Sequence, residues 1–292
     1  MIFLLGSILF TSYLTISFKI LERFDIPILQ AIVVNYFICV ITGSVVNGSW
    51  PVDKTTIHQP WLPWSLVLGS MFIILFNVFA YTTQKLGVAV ASVANKLSLV
   101  IPFVFSIYLY NEEWTWLKMA GIVLALLAVV FTCYPARQRE RSRSLNKAYY
   151  FFLPVILFVG SGLMDTIVKY VEQTHLNESN YNDFLIAAFV IAALIGFLIM
   201  GVLLITRKIK FDRRSILAGI AIGIPNYFSI WFLVNVLKQY KGNSSAIIPI
   251  NNMGIVLLSS VLAWLMFKEK LSALNWVGII LALAAIALIA FD

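Results

Sequence analysis

Apolar runs of about twenty residues recur along almost the whole of this 292-residue chain, and no other feature leaves it so few ways to fold. Ten can be marked, at approximately 1–20, 28–47, 63–84, 88–110, 114–134, 148–171, 183–205, 215–237, 244–267 and 272–291. Each is long enough to cross roughly 30 Å of hydrocarbon as a helix. Inside lipid a segment must satisfy its own backbone hydrogen bonds, and a helix does so without a neighbour. Composition agrees: 61% of residues are hydrophobic and 12% charged, with a mean hydropathy of +0.92, whereas soluble domains carry about 25% charged residues. The expected fold class is all-α, a polytopic membrane protein with ten transmembrane helices. Runs three and four, four and five, and nine and ten are joined so tightly that the count is set only to within one.

The same reading removes several functions. The first run lacks a basic leader, no A-x-A-like cleavage site follows it, and Lys19 and Glu22 stand at its end, so a retained helix is expected. Cys39 and Cys133 fall in apolar runs, where buried thiols are expected rather than a disulfide. The histidines, His58 and His175, lie in separate loops, so no Cys/His set has metal-ligand spacing. No G-x-x-x-x-G-K-[ST] phosphate loop is present either. No metal, cofactor or direct use of ATP is expected. The net charge of +8 needs no nucleic acid, because ten of the 21 Lys and Arg sit in two short loops. These are Arg137, Arg139, Arg141, Arg143 and Lys147, then Arg207, Lys208, Lys210, Arg213 and Arg214. Such loops stay on the cytoplasmic side and meet anionic lipid.

The chain also matches itself. Lys19-x-x-Glu22 pairs with Lys169-x-x-Glu172, and Gly69 with Gly219, both at a separation of 150 residues. "NVF" at Asn77 falls near "NYF" at Asn226, and Asn95 meets Asn252. "YNEEWTWLKMAGIVLALLAVVF" aligns with "FKEKLSALNWVGIILALAAIAL", bringing Glu112 to Glu269 and Gly121 to Gly278. Five spans per half is an odd number, so the second half must enter the membrane the other way up. That is an inverted-topology repeat, with a half at 1–134, a basic linker at 135–147 and a half at 148–292; many secondary transporters use such halves for alternating access.

These residues resemble the ten-helix, EamA-type members of the drug/metabolite transporter superfamily. The likeness is carried by "SFKILERFDIPILQAIVVNYF", with Lys19 near the end of the first helix and Pro27 opening the next. The paired "NEEWTWLKMAGIVLALLAVV" and "FKEKLSALNWVGIILALAAIAL" carry it too. It covers essentially the whole chain and is nearly silent about substrate. The resemblance implies a secondary carrier of small metabolites such as amino acids, sugars, nucleotide sugars or quaternary amines, and no enzyme.

Polar residues sort the runs. The fifth, seventh and tenth are almost free of them, as suits a packing or lipid-facing perimeter. Others carry polar stripes at helical spacing: Thr11, Thr15 and Glu22; Asn35, Cys39 and Thr42; Asn77, Tyr81 and Lys85; Tyr227, Trp231 and Asn235; Asn251, Asn252 and Ser259. Lys96, with Asn95 beside it, lies eight residues into the fourth run, roughly 12 Å deep at the helical rise. A charge near a helix centre costs about 2.5–3.5 kcal/mol on insertion scales, so it faces protein or water. Three readings of Lys96 stay open: it holds an anionic group of a substrate, it forms a structural pair, or it snorkels to the interface. Asp165 is the acidic residue at comparable depth in the sixth run, read either as a coupling site for a proton or cation or as a structural ion pair. Glu112 and Glu269 read as helix-end residues.

The expected function is secondary active transport of a small polar metabolite, anionic or zwitterionic and amino-acid-like, by a monomer in a bacterial inner membrane. Its binding residues are expected to be Lys96, Asn95, Asn35, Asn77, Tyr81, Asn226, Tyr227, Trp231, Asn251 and Asn252. An exporter of amphipathic drugs or lipids with lateral access is the alternative, and an intramembrane enzyme a more remote one, since no intramembrane histidine or metal motif is present. The odd-numbered loops hold most of the Lys and Arg, which places both termini outside the cytoplasm. Familiar ten-helix relatives imply the reverse.

Overall fold

A computed structural model describes residues 2–48, 50, 56–110, 115–133, 147–177, 180–239, 244–268 and 271–290. Among them the chain forms α1 (Ile2–Arg23), α2 (Ile28–Asn47), a 3-10 turn at Thr56–His58, α3 (Leu62–Leu86), α4 (Val88–Leu97), α5 (Val100–Tyr110), α6 (Trp116–Cys133), α7 (Lys147–His175), α8 (Tyr181–Ile205), α9 (Arg214–Gln239), α10 (Ser244–Phe267) and α11 (Ala273–Ala290), with no strand. The ten expected spans are all present, the fourth divided between α4 and α5. Eight segments are long and apolar enough to cross a membrane, and Met119–Thr132 and Ala273–Leu288 are shorter apolar helices. The linker at 135–147, save the start of α7 at Lys147, lies outside the described residues, as do Glu112 and Glu269. His175 closes α7 rather than lying in a loop; its ring stacks on Trp64, centroids 6.5 Å apart.

Two junctions around α4 have local causes. Gly87 alone separates α3 from α4, with φ 106 and ψ 162, a region that essentially only glycine enters. Between α4 and α5 the ladder fails at Ser98–Leu99. Pro102 has no N–H to give the Ser98 carbonyl, and its ring crowds that carbonyl. Ser98 compensates: its carbonyl takes Ile101 N at 2.9 Å and its hydroxyl donates to Asn95 O at 2.5 Å.

The chain forms two compact units, each drawn from both sequence halves. The first comprises 1–19, 78–163 and 229–292, the second 20–77 and 164–228, so the divisions fall within α1, α3, α7 and α9. In the first unit α6 lies along α11 on small residues, Ala125 and Ala128 against Ile279, Ala282 and Ala285, all buried. A side chain at Gly278 would fall on Thr132. Gly278 at the start of α11 thus meets the end of α6, and the two helices run antiparallel. Asn275 fixes the same end: its Nδ2 donates to Phe131 O at 3.2 Å and Thr132 O at 2.9 Å, two carbonyls the last turn of α6 leaves open. Its Oδ1 accepts from Ser272 N at 2.9 Å while Ser272 Oγ accepts from Asn275 N at 3.1 Å, a reciprocal cap on α11.

In the second unit α2 runs beside α8, and glycines set the close contacts. Gly219 and Gly223 on α9, four residues apart, admit Val34 and Ile38 of α2. Such small-xxx-small spacing lets helix backbones approach without a hydrophobic drive. Trp61, Leu68, Val171, Phe184, Ala187 and Ala188 form a further apolar cluster. The loops pair off at opposite ends of this unit. Phe24, after α1, is held to Arg214 at the start of α9 at 3.1 Å; Asn47, at the end of α2, bonds Asn182 and Asp183 at the start of α8 at 3.2 and 3.3 Å.

Candidate functional site

The interruption after α4 puts Lys96 one residue from the end of a half-helix in mid-span, which the residue pattern did not foresee. Lys96 is partly buried. Its backbone carbonyl accepts the Asn252 amide from α10 at 3.4 Å, and one turn earlier the Ser92 hydroxyl meets the Ser259 hydroxyl at 2.7 Å. α10 therefore seals one side of α4 by polar contacts at two levels. Next to Asn252, Asn251 is 2% exposed, and its Oδ1 has no partner among the described residues. Asn95 uses its carbonyl on Ser98. The interruption thus gathers at one depth a lysine in the last turn of α4 and, on the helix that seals it, an unsatisfied amide oxygen.

The second unit holds another polar group. The approach enforced by Gly219 and Gly223 brings Asn226 Nδ2 to Asn35 Oδ1 at 3.1 Å, both side chains buried. The Cys39 thiol donates to Gly223 O at 3.4 Å, and Tyr227 lies against Gly43, where a side chain would meet its ring. Asn35 is fully buried, yet its Nδ2 has no partner among the described residues. Burying an unpaired amide donor costs about 1–3 kcal/mol. The cost is small enough to bear and large enough to favour any ligand that relieves it.

The other expected residues are occupied differently. Asn77 donates to Ile73 O at 2.7 Å, one turn back on its own helix. Thr15 and Asn235 do likewise, with Thr11 O at 3.1 Å and Trp231 O at 2.7 Å. Such back-bonding satisfies a polar side chain without any neighbour. The Tyr81 ring lies under the Lys85 ammonium, 5.6 Å from its centroid. Trp231 stacks edge-on with Phe3 and Phe232. Asp165 sits on the exposed side of α7. Lys19, carried by the early motif, donates to Gln84 O at 2.9 Å, and Gln84 Nε2 returns a bond to Phe18 O at 3.0 Å. This clip between α1 and α3 explains a lysine at that helix end without a ligand. No group of three or more His, Cys, Asp or Glu among the described residues could hold a metal ion.

The profile of the EamA-like transporter family matches residues 1–134 and 149–291. The chain belongs to the EamA-like transporter family. EamA is a domain of the drug/metabolite transporter superfamily, so the chain is an integral membrane protein of a transporter family. An uncharacterized protein of Haemophilus influenzae is 27% identical over 289 residues, spanning 97% of this chain and 95% of its own length. A solved crystal structure has the same fold, with a TM-score of 0.61 across 98% of this chain and 95% of that one, at 15% identity.

Proposed function

We propose that this EamA-family protein is a secondary active transporter of a small anionic or zwitterionic metabolite, amino-acid-like in its charges, working by alternating access. The observation that carries the reading is Lys96 at the interrupted end of α4, beside Asn252 and the unsatisfied Asn251. In the first unit Lys96 holds the anionic group, Asn252 stands beside it, and the open Asn251 Oδ1 accepts a hydrogen bond from the ammonium of an amino-acid-like ligand. Asp165 carries the coupling proton. Two further observations support inverted five-helix halves. The α6 and α11 boundaries correspond residue for residue, Trp116 with Ala273 and Cys133 with Ala290, in the register of the internal match. The unit divisions also recur in both halves, in α1 and α3 and again in α7 and α9.

Purified protein screened by thermal shift against amino acids, sugars, nucleotides and amines should respond to a carboxylate-bearing compound. Lys96→Ala should abolish that response and leave the unliganded melting temperature near wild type. An unchanged response would refute the role of Lys96, and a large fall in unliganded stability would make Lys96 a structural residue. We further propose that the termini lie outside the cytoplasm of a bacterial inner membrane. Impermeant labelling of Ser179→Cys but not Ser142→Cys on intact cells is the expected result; the reverse pattern overturns it.

A further inference from the structure

One end of the second unit carries cations that transport leaves unused. Arg23, Arg207, Lys208, Lys210 and Arg213 are all exposed, and none has a side-chain hydrogen bond or ion pair among the described residues. Arg214 is different: its guanidinium holds both Asp212 oxygens, at 2.7–3.1 Å, and donates to Phe24 O at 3.1 Å. That last bond brings the end of α1, and with it Arg23, to the α8–α9 loop. Besides Asp212, which Arg214 holds, this surface carries the acids Glu22 and Asp25 against five cations.

The surface is built rather than loose. Gln30, 1% exposed, donates to Lys210 O at 2.7 Å and accepts Asp212 N at 2.9 Å, clamping the middle of the loop to α2. α8 closes with Lys208 N on Leu203 O and Arg207 N on Leu204 O, and Arg207 takes φ 55 at the position where glycine is usual. Arg213 stands at the N-terminus of α9, where the helix dipole disfavours a cation. The Arg213 placement is unfavourable for the isolated chain and is offset once an anion sits beside it. Phe24 and Phe211, 58% and 47% exposed, alternate with the cations, and exposed Ile205 and Leu217 begin the apolar spans beside them. Cations at the ends of apolar spans, with apolar Phe side chains between them, suit the boundary between headgroups and acyl chains of a bilayer.

We propose that this surface is a binding site for the phosphate of anionic phospholipid headgroups in the leaflet it faces, with Arg207, Lys208, Lys210 and Arg213 as its ligands. Its occupancy does not depend on what the protein carries. The test is native mass spectrometry of the purified full chain with phosphatidylglycerol, with phosphatidylcholine and with inorganic phosphate. Wild type should retain phosphatidylglycerol over phosphatidylcholine. Replacing Arg207, Lys208, Lys210 and Arg213 together by Gln should reduce that retention at least tenfold, since each cation near the surface contributes about 1 kcal/mol. The charge-matched Arg137, Arg139, Arg141 and Arg143 to Gln protein should lose clearly less, because it keeps the surface that Gln30 and Arg214 build. Equal losses in the two variants, or no loss in the first, would overturn the site; inorganic phosphate competing at millimolar level would overturn the lipid as its source. Should the fourfold variant not fold, Lys208→Gln and Arg213→Gln singly must each lower retention, or the proposal fails.

Discussion

Asn275 gives the most quantitative test of how the first unit is held. Its amide closes two circuits, the reciprocal cap with Ser272 and the pair of bonds to Phe131 O and Thr132 O, and the residue is 4% exposed. Ser272→Ala removes only the cap, worth about 1 kcal/mol. Asn275→Ala removes the cap and also strands two buried carbonyls, which adds about 2 kcal/mol after partial relaxation, for a total near 3. At about 2–4 °C per kcal/mol for a chain of this class, the melting temperature should fall roughly 3 °C for the first change and 6–12 °C for the second. Asn275→Asp separates the circuits. It keeps the acceptor for Ser272 but replaces the donor with a carboxylate facing carbonyls, so it should be at least as damaging as alanine. Melting curves of the purified proteins in one detergent provide the measurement. Equal shifts for Ser272→Ala and Asn275→Ala, or an Asn275→Asp protein as stable as wild type, would refute the link between α11 and the end of α6.

Gly87→Ala should cost roughly 1–3 kcal/mol, because φ 106 with ψ 162 is closed to a side chain; a melting curve unchanged from wild type would contradict the one-residue junction. Gly219→Val should lower the yield of folded protein and its melting temperature more than Gly201→Val, since a side chain at Gly219 falls on Val34 whereas nothing lies within 4 Å of Gly201. Asp212 is held below its ordinary value of 3.8 by hydrogen bonds from the Arg214 side chain and backbone. A lowered folded-state value means its contribution is present above the ordinary carboxylate range and lost as pH falls through the lowered value. The stability difference between wild type and Asp212→Asn should therefore be steady at neutral pH and shrink below about pH 4, which melts across that range would show.

Much of the architecture follows from local chemistry. A twenty-residue apolar run has one way to satisfy its backbone in lipid, so span positions were legible to within a few residues, and so was the family, carried by motifs in both halves. The break at Ser98–Leu99 was half legible. Pro102 marks it, yet Pro154, Pro225 and Pro249 stand inside continuous helices, so proline alone did not distinguish a break from a bend. The GxxxG at Gly219–Gly223 was also there to be read, as the signal for where α9 meets α2.

Partner choice was not legible. Asn35 and Asn77 look alike in sequence, polar residues on stripes of apolar helices. In the fold Asn35 faces Asn226 across a glycine-set contact while Asn77 turns back to Ile73 O. Helical periodicity tells which residues share a face, but it carries no information about which foreign surface that face meets. That was decided by glycines and small residues nearly 200 positions away, whose missing side chains let one particular pair of backbones approach. The compact units mix the two halves for the same reason, since close packing in lipid rewards fitting surfaces and is indifferent to their order along the chain.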